Sequence, residues 1–223
     1  MRGAVLENEF AKRLPFWDKL SESEKEFVNT YSNVVEYEKG RIIHSDDDNC
    51  LGMIMMLEGE IRTYILSPEG REITLFRLYK NDCCVMSASC VIKEINFSSQ
   101  MVAEKNCKIL VISSGIFSRL AEKNIYVKCY MYEVLANKFS SVMITMQQIL
   151  FKGFDKRLAE FLVAETERTG TNTIKMTHQQ IAQHTNSARE VVARMLKKFN
   201  DEGIVEVHRG VIKIIDKDKL ENI

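Results

Sequence analysis

Three side chains in one short stretch could read the edge of a base pair: Arg189, Glu190 and Arg194. Arginine bonds guanine O6 and N7 in pairs, and glutamate accepts from cytosine N4. Helical spacing separates them from Val191, Val192, Met195, Leu196 and Phe199, which would form a buried side. A second chemical cluster is Cys83-Cys84-Val85-Met86-Ser87-Ala88-Ser89-Cys90, with three thiols and two hydroxyls in eight residues. Adjacent cysteines can form a strained disulfide or react with oxidants, but cysteine is also an ordinary small core residue. Only Lys80 and Lys93 stand near enough in sequence to lower a thiol pKa. The segment reads as a pocket lining of Ser and Cys, with Ser98 and Ser99 beside it. Catalytic chemistry has no comparable support. His44 stands alone in the first half, while His178, His184 and His208 lie near the C-terminus. No Ser-His-Asp set and no C-x-x-C pair occurs, and no metal site is expected. A cupin-like β-roll enzyme would need a His and carboxylate cluster. That enzyme, or a ligand-binding module with a C-terminal interaction domain, is the alternative reading; the module would leave Arg189 and Arg194 unexplained.

The elements that must hold the three readers are legible around them. Thr177 with Gln180, and Ser187 with Glu190, fit two capping boxes ten residues apart. Thr185-Asn186 between them supplies a tight turn, because asparagine tolerates the left-handed conformation. Two short helices so joined make a helix-turn-helix, whose second helix enters the major groove by its N-terminal part. After Gly203, Ile204–Val207 and Val211–Ile215 predict a hairpin around His208-Arg209-Gly210, a wing with a basic tip.

Upstream, one helix is predicted from Phe154 to Thr169, ended by Gly170, and a longer one from Tyr126 to Lys152, with Gly153 as a hinge. Along the long helix Tyr132, Leu135, Phe139, Val142, Met146 and Ile149 recur at steps of three and four, a coiled-coil seam that predicts a homodimer. Met131, Val134 and Met143 are apolar elsewhere on it, so the helix could also face its own β domain. From about Val34 to Ile112 the pattern changes to short strands: Arg41–His44, Met53–Leu57, Ile61–Leu66, Glu72–Leu78, Gln100–Glu104 and Lys108–Ile112. Strands at this spacing predict a sandwich or roll, here in an α+β chain. Ser21 with Glu24 caps an early helix. The expected division is 1–125, 126–152 and 153–223.

The 223 residues are 45% hydrophobic and 28% charged with two prolines, a globular composition. The longest apolar runs fall far short of a membrane span, and acidic residues stand where a signal peptide would be apolar, so a cytoplasmic location is expected and no membrane partner. The net charge is zero, with +2 on residues 152–223 and −2 on the rest. A local patch, not bulk charge, must carry any nucleic-acid binding.

The combination resembles the Crp/Fnr family of bacterial transcription regulators over nearly the whole chain. Ile181 through Leu196, then Glu202-Gly203-Ile204 and the Ile-x-Ile-x-Asp ending at Asp216, carry it most specifically. Leu14-Pro15-Phe16 and Leu57-x-Gly59-x-Ile61 with Gly70-Arg71-Glu72 add to it. Asn186 occupies the turn position where the family usually has glycine. The resemblance implies an N-terminal β-roll (a double-stranded β-helix or jelly-roll, cyclic-nucleotide-binding-like), a long dimerisation helix and a C-terminal winged helix-turn-helix. It implies a regulator whose dimer binds double-stranded DNA at an inverted repeat, with base contacts from Arg189, Glu190 and Arg194. Backbone contacts would fall on Thr177, Gln179, Ser187, His208 and Arg209, and near Ala188, which lacks the hydroxyl many members have. RNA polymerase is a further partner of such regulators, for which the sequence has no chemical signature.

The family's effectors fit the sensor half poorly. The Arg-Ser pair that holds the phosphate of cyclic AMP aligns with Phe97-Ser98, the Gly-Glu turn with Asn81-Asp82-Cys83-Cys84, and the base-contacting Thr-Ser pair with Val142-Met143. A buried phosphate without a cation is poorly compensated, so cyclic AMP is not expected. An iron–sulfur cluster would need a cysteine group before Cys50, and none is present. Haem-binding members use axial ligands such as His or Cys; His44 is the one histidine in the sensor half, and a lone histidine is more often structural than a ligand, so haem is not the expected cofactor. The effector is left unidentified, as a small molecule or a redox signal.

Overall fold

The computed structural model describes residues 11–44, 51–68, 70–85 and 99–223. They divide into two units, one of 1–65 with 75–142 and one of 66–74 with 143–223.

In the first unit two short 3-10 turns lead into α1 (Glu22–Tyr31), capped by the Ser21–Glu24 box. Among the described residues eight strands follow: β1 (Ser32–Tyr37), β2 (Ile42–His44), β3 (Met53–Glu58), β4 (Ile61–Leu66), β5 (Glu72–Leu78), β6 (Cys83–Cys84), β7 (Gln100–Ala103) and β8 (Cys107–Ile112). They form two four-stranded sheets, β1-β8-β3-β6 and β2-β7-β4-β5. β3 is buried on both faces, which explains its unbroken Met-Ile-Met-Met-Leu run. Ile54 and Met56 join Ile109, Val111, Ile61 and Met101 in the core shared by the sheets. Met53, Met55 and Leu57 turn to the other side, against Phe16, Trp17, α2 (Ser114–Lys123) and the first half of α3 (Ile125–Phe151). Two close approaches demand glycine: a Cβ on Gly52 would overlap the Ile112 carbonyl, and one on Gly59 that of Asn106. β1 and β6 lie outside the strands that the sequence predicts. β1 follows α1 without a break, and β6 is two residues long, too short to show a period.

In the second unit α4 (Phe154–Thr169) ends in a left-handed Gly170. Then come β9 (Thr173–Ile174), α5 (His178–Thr185), α6 (Arg189–Asp201), β10 (Val205–His208), β11 (Val211–Ile214) and α7 (Lys217–Glu221). β10 and β11 pair in the predicted hairpin, with β9 as an unpredicted third strand beside β11. Leu158, Leu162, Ile181, Val192, Leu196, Phe199 and Ile212 fill one core.

The long helix α3 settles which apolar stripe faces inward. Val127, Met131 and Val134 are buried, and Leu135 and Val142 pack on the β-domain cores. Tyr132, Phe139, Met143, Met146 and Leu150 are exposed, at 46–67%. With exposed Ile125, Cys129 and Ala136 they make an unbroken series, 125, 129, 132, 136, 139, 143, 146 and 150, at alternating steps of four and three. At 100° per residue this stripe lies about 130° round the helix from the buried one. The stripe expected from sequence is therefore divided: Tyr132, Phe139 and Met146 face out, while Leu135 and Val142 face their own domain and Ile149 is half-buried.

Candidate nucleic-acid interface

The helix-turn-helix is built by local hydrogen bonds. Gln180 N–H donates to Thr177 Oγ1 at 3.2 Å, and Thr177 N–H donates to Gln180 Oε1 at 2.8 Å, closing the box at the start of α5. The helix ends where Asn186 turns left-handed, at φ 50° and ψ 51°. Ser187 N–H then reaches back to the Ala182 carbonyl at 3.0 Å, a bond that closes the C-terminus of α5. That bond overturns the second expected capping box. Ser187 belongs to the end of α5, so the N-cap of α6 is Ala188, which offers no side-chain acceptor. Amide groups at the start of α6 are thus left without a side-chain cap, at the end of a helix that favours anions.

α6 buries Val192, Leu196 and Phe199 and exposes Arg189, Glu190, Arg194 and Lys197. Among the described residues no ion pair engages Arg189, Glu190 or Arg194. Thr177, Gln179, His208 and Arg209 are also exposed, and Ser187 is half-buried. The wing tip is a tight turn at Arg209-Gly210, with Gly210 at φ 74°. His208 Nε2 stands 3.5 Å from Glu206, which also faces Lys213 at 3.8 Å. Two positioning residues escape sequence reading. Asn200 Oδ1 accepts from Val207 N–H at 3.1 Å, tying the wing to the end of α6. His184 stacks on Phe161 with ring centroids 5.1 Å apart, seating α5 on α4. An asparagine late in a helix and a histidine beside a turn carry no signal that would single them out.

In the β domain Cys83 and Cys84 are buried on β6, paired with Met55 and Ile54 of β3, and Ser99 is half-buried. Ser87, Ser89, Cys90 and Ser98 lie outside the described residues. Burial pushes the Cys83 thiol up to about 11, against the effect of its hydrogen bond with Tyr130. Burial and the neighbouring sulfur raise Tyr130 in turn. The ordinary thiol value is 9.0, so Cys83 carries about 100-fold less thiolate near pH 8. N-ethylmaleimide should therefore label Cys83 at least about 100-fold more slowly in the native protein than in urea, read by peptide mass spectrometry. Equal rates would mean an open β6. His44 is half-buried on β2, and no group of three or more potential metal ligands occurs among the described residues. No helix among them is long and apolar enough to cross a membrane.

Residues 156–223 match the Crp-like helix-turn-helix domain family, and residues 34–124 match the cyclic nucleotide-binding domain family. A solved structure from Eubacterium rectale, of a protein assigned to the Crp/Fnr transcriptional regulators, is 41% identical with a TM-score of 0.88. The match covers 95% of this chain and 98% of that one. The nitrogen fixation regulation protein FixK of Bradyrhizobium diazoefficiens is 23% identical over 84% of this chain and 80% of its own. The cAMP-activated global transcriptional regulator CRP of Pasteurella multocida is 23% identical over 79% of this chain and 86% of its own. These relatives are transcription regulators, not enzymes, and the helix-turn-helix implies DNA binding. With a DNA-binding helix-turn-helix behind a cyclic-nucleotide-binding-like β domain, this chain belongs to the Crp/Fnr family of transcription regulators.

Proposed function

We propose that two copies of this chain, joined along α3, bind an inverted-repeat operator with half-sites about one helical turn apart. Arg189, Glu190 and Arg194 read bases, while Thr177, Gln179, Ser187, His208 and Arg209 hold the phosphate backbone. The observation that carries the reading is the exposed Arg189-Glu190-Arg194 face at the start of α6, with no ion pair among the described residues. Residues 1–125 form the effector domain, 126–152 the dimer helix and 153–223 the reader. A signal at the β-roll shifts the population of dimer states through α3 and Gly153, acting in the cytoplasm and on RNA polymerase.

The signal is a small molecule rather than oxidation of Cys83 or Cys84, whose thiols are buried. The cyclic AMP of the relative CRP is not carried over. Val142 packs on the β-domain core and Met143 points outward, at the two places that would face its base. In-vitro selection from random duplexes, in reduced and oxidised arms, tests the reading. The expected result is one enriched inverted repeat, the same in both arms. Enrichment in neither arm, even with cell extract supplying an effector, would sink the DNA-reading role. A difference between the arms would return the cysteines to the sensor.

A further inference from the structure

The turn of the helix-turn-helix makes a set of hydrogen bonds that base reading does not use. Residues 66–74, the tip between β4 and β5, pack with residues 143–223. Thr74 N–H donates to Asn186 Oδ1 at 2.7 Å, and Asn186 Nδ2 donates back to the Thr74 carbonyl at 3.0 Å. The side-chain amide thus bonds this strand residue as the peptide of a neighbouring strand would. Thr74 Oγ1 donates to the Gln183 carbonyl at 2.9 Å, Gln183 Nε2 to Glu72 Oε2 at 3.4 Å, and Arg71 Nη2 to the Asn186 carbonyl at 3.4 Å. Thr74 and Asn186 are 5% and 9% exposed, so their polar groups depend on each other rather than on water.

A left-handed turn alone asks only for glycine or asparagine. Asparagine here has a second use, because its amide reaches a residue 112 positions away. Thr177, Gln179, Arg189, Glu190, Arg194, His208 and Arg209 all stay exposed beside this contact. The contact therefore leaves the reading face open and constrains how that face is held. Resting on the DNA-reading role above, we propose that Asn186 is a latch that fixes the orientation of the reader, and so the spacer allowed between operator half-sites.

Full-length wild type is compared with Asn186→Gly and Asn186→Asp. Glycine keeps the backbone angles and deletes both amide bonds. Aspartate keeps the acceptor for Thr74 N–H but sets a carboxylate against the Thr74 carbonyl. Each protein selects from duplexes carrying the wild-type half-sites at spacers from zero to about one helical turn. Wild type should keep one spacer, and both variants should keep the half-site sequence but accept about three or more. Hydrogen exchange at the Thr74 amide should rise about tenfold or more in Asn186→Gly. An unchanged spacer preference, or an unchanged Thr74 exchange rate, overturns the latch. If wild type enriches no half-site, the DNA-reading role fails instead. The latch is then judged by the exchange rates alone, where equal rates overturn it and a tenfold rise supports it.

Discussion

Arg189→Ala and Arg194→Ala are each expected to weaken binding to the selected operator while leaving the dimer and the melting temperature unchanged. One lost bidentate contact costs about 1–3 kcal/mol, or about 5–150-fold per half-site. In a symmetric dimer each substitution acts twice, so the full operator loses about 2–6 kcal/mol. The loss should be position-specific: with the arginine gone, the guanine it read tolerates other bases. Both side chains are exposed and outside the core of the winged helix, so stability should move by no more than about 0.5 kcal/mol. Selection with each variant, beside a thermal melt, reads both quantities. Unchanged site preference in both variants would show that α6 does not read bases.

The wing offers a contrast within the same experiment. Arg209 sits at the tip of a tight turn, outside the proposed reading face of α6, and its proposed partner is phosphate, which carries no sequence information. Arg209→Ala should therefore weaken all duplexes about equally and lower the salt slope by about 1 per copy. The two classes of variant separate positioning from readout.

The reader was legible because its signals are local. The Thr177–Gln180 box, the left-handed Asn186 and the apolar face of α6 all lie within a few turns of chain. The strand pattern of the β domain was legible for the same reason, apart from β1 and β6. The Ser187 cap failed because two helix ends compete for one residue, and the bond from Ser187 N–H to Ala182 decides for α5. The contact from Asn186 to Thr74 had no sequence signal, since nothing local distinguishes an asparagine that only turns the chain from one that also holds a distant strand. The α3 stripe was legible only in part, for a different reason. The helix carries two apolar stripes, both at steps of three and four, and periodicity alone cannot say which one the β domain covers. Packing decides it: Leu135 and Val142 lie on the β-domain cores, and Phe139 and Met143 face outward.

That division sets up the second large effect. Phe139 is 63% exposed in the single chain, at the middle of the outward stripe. Burying such a side chain on association is worth about 1.5–3 kcal/mol, and a two-fold interface counts it twice. Phe139→Glu removes about 3–6 kcal/mol and sets two like charges facing each other, so the dimer should dissociate at least about 100-fold more readily. Light scattering should find monomer at micromolar concentration, and operator affinity should fall to that of one half-site, because the second reader is no longer tethered. Cys129, exposed in the single chain and on the same stripe, reports independently. It should react slowly with maleimide in the wild-type dimer and rapidly in Phe139→Glu. Leu135→Ala is the control. Its side chain packs on both β-domain cores, so it should lower the melting temperature, at a cost of about 1–3 kcal/mol, and leave the dimer intact. If Leu135→Ala dissociates the dimer and Phe139→Glu does not, the partner covers the other stripe, and α3 must turn away from its own β domain when two copies meet.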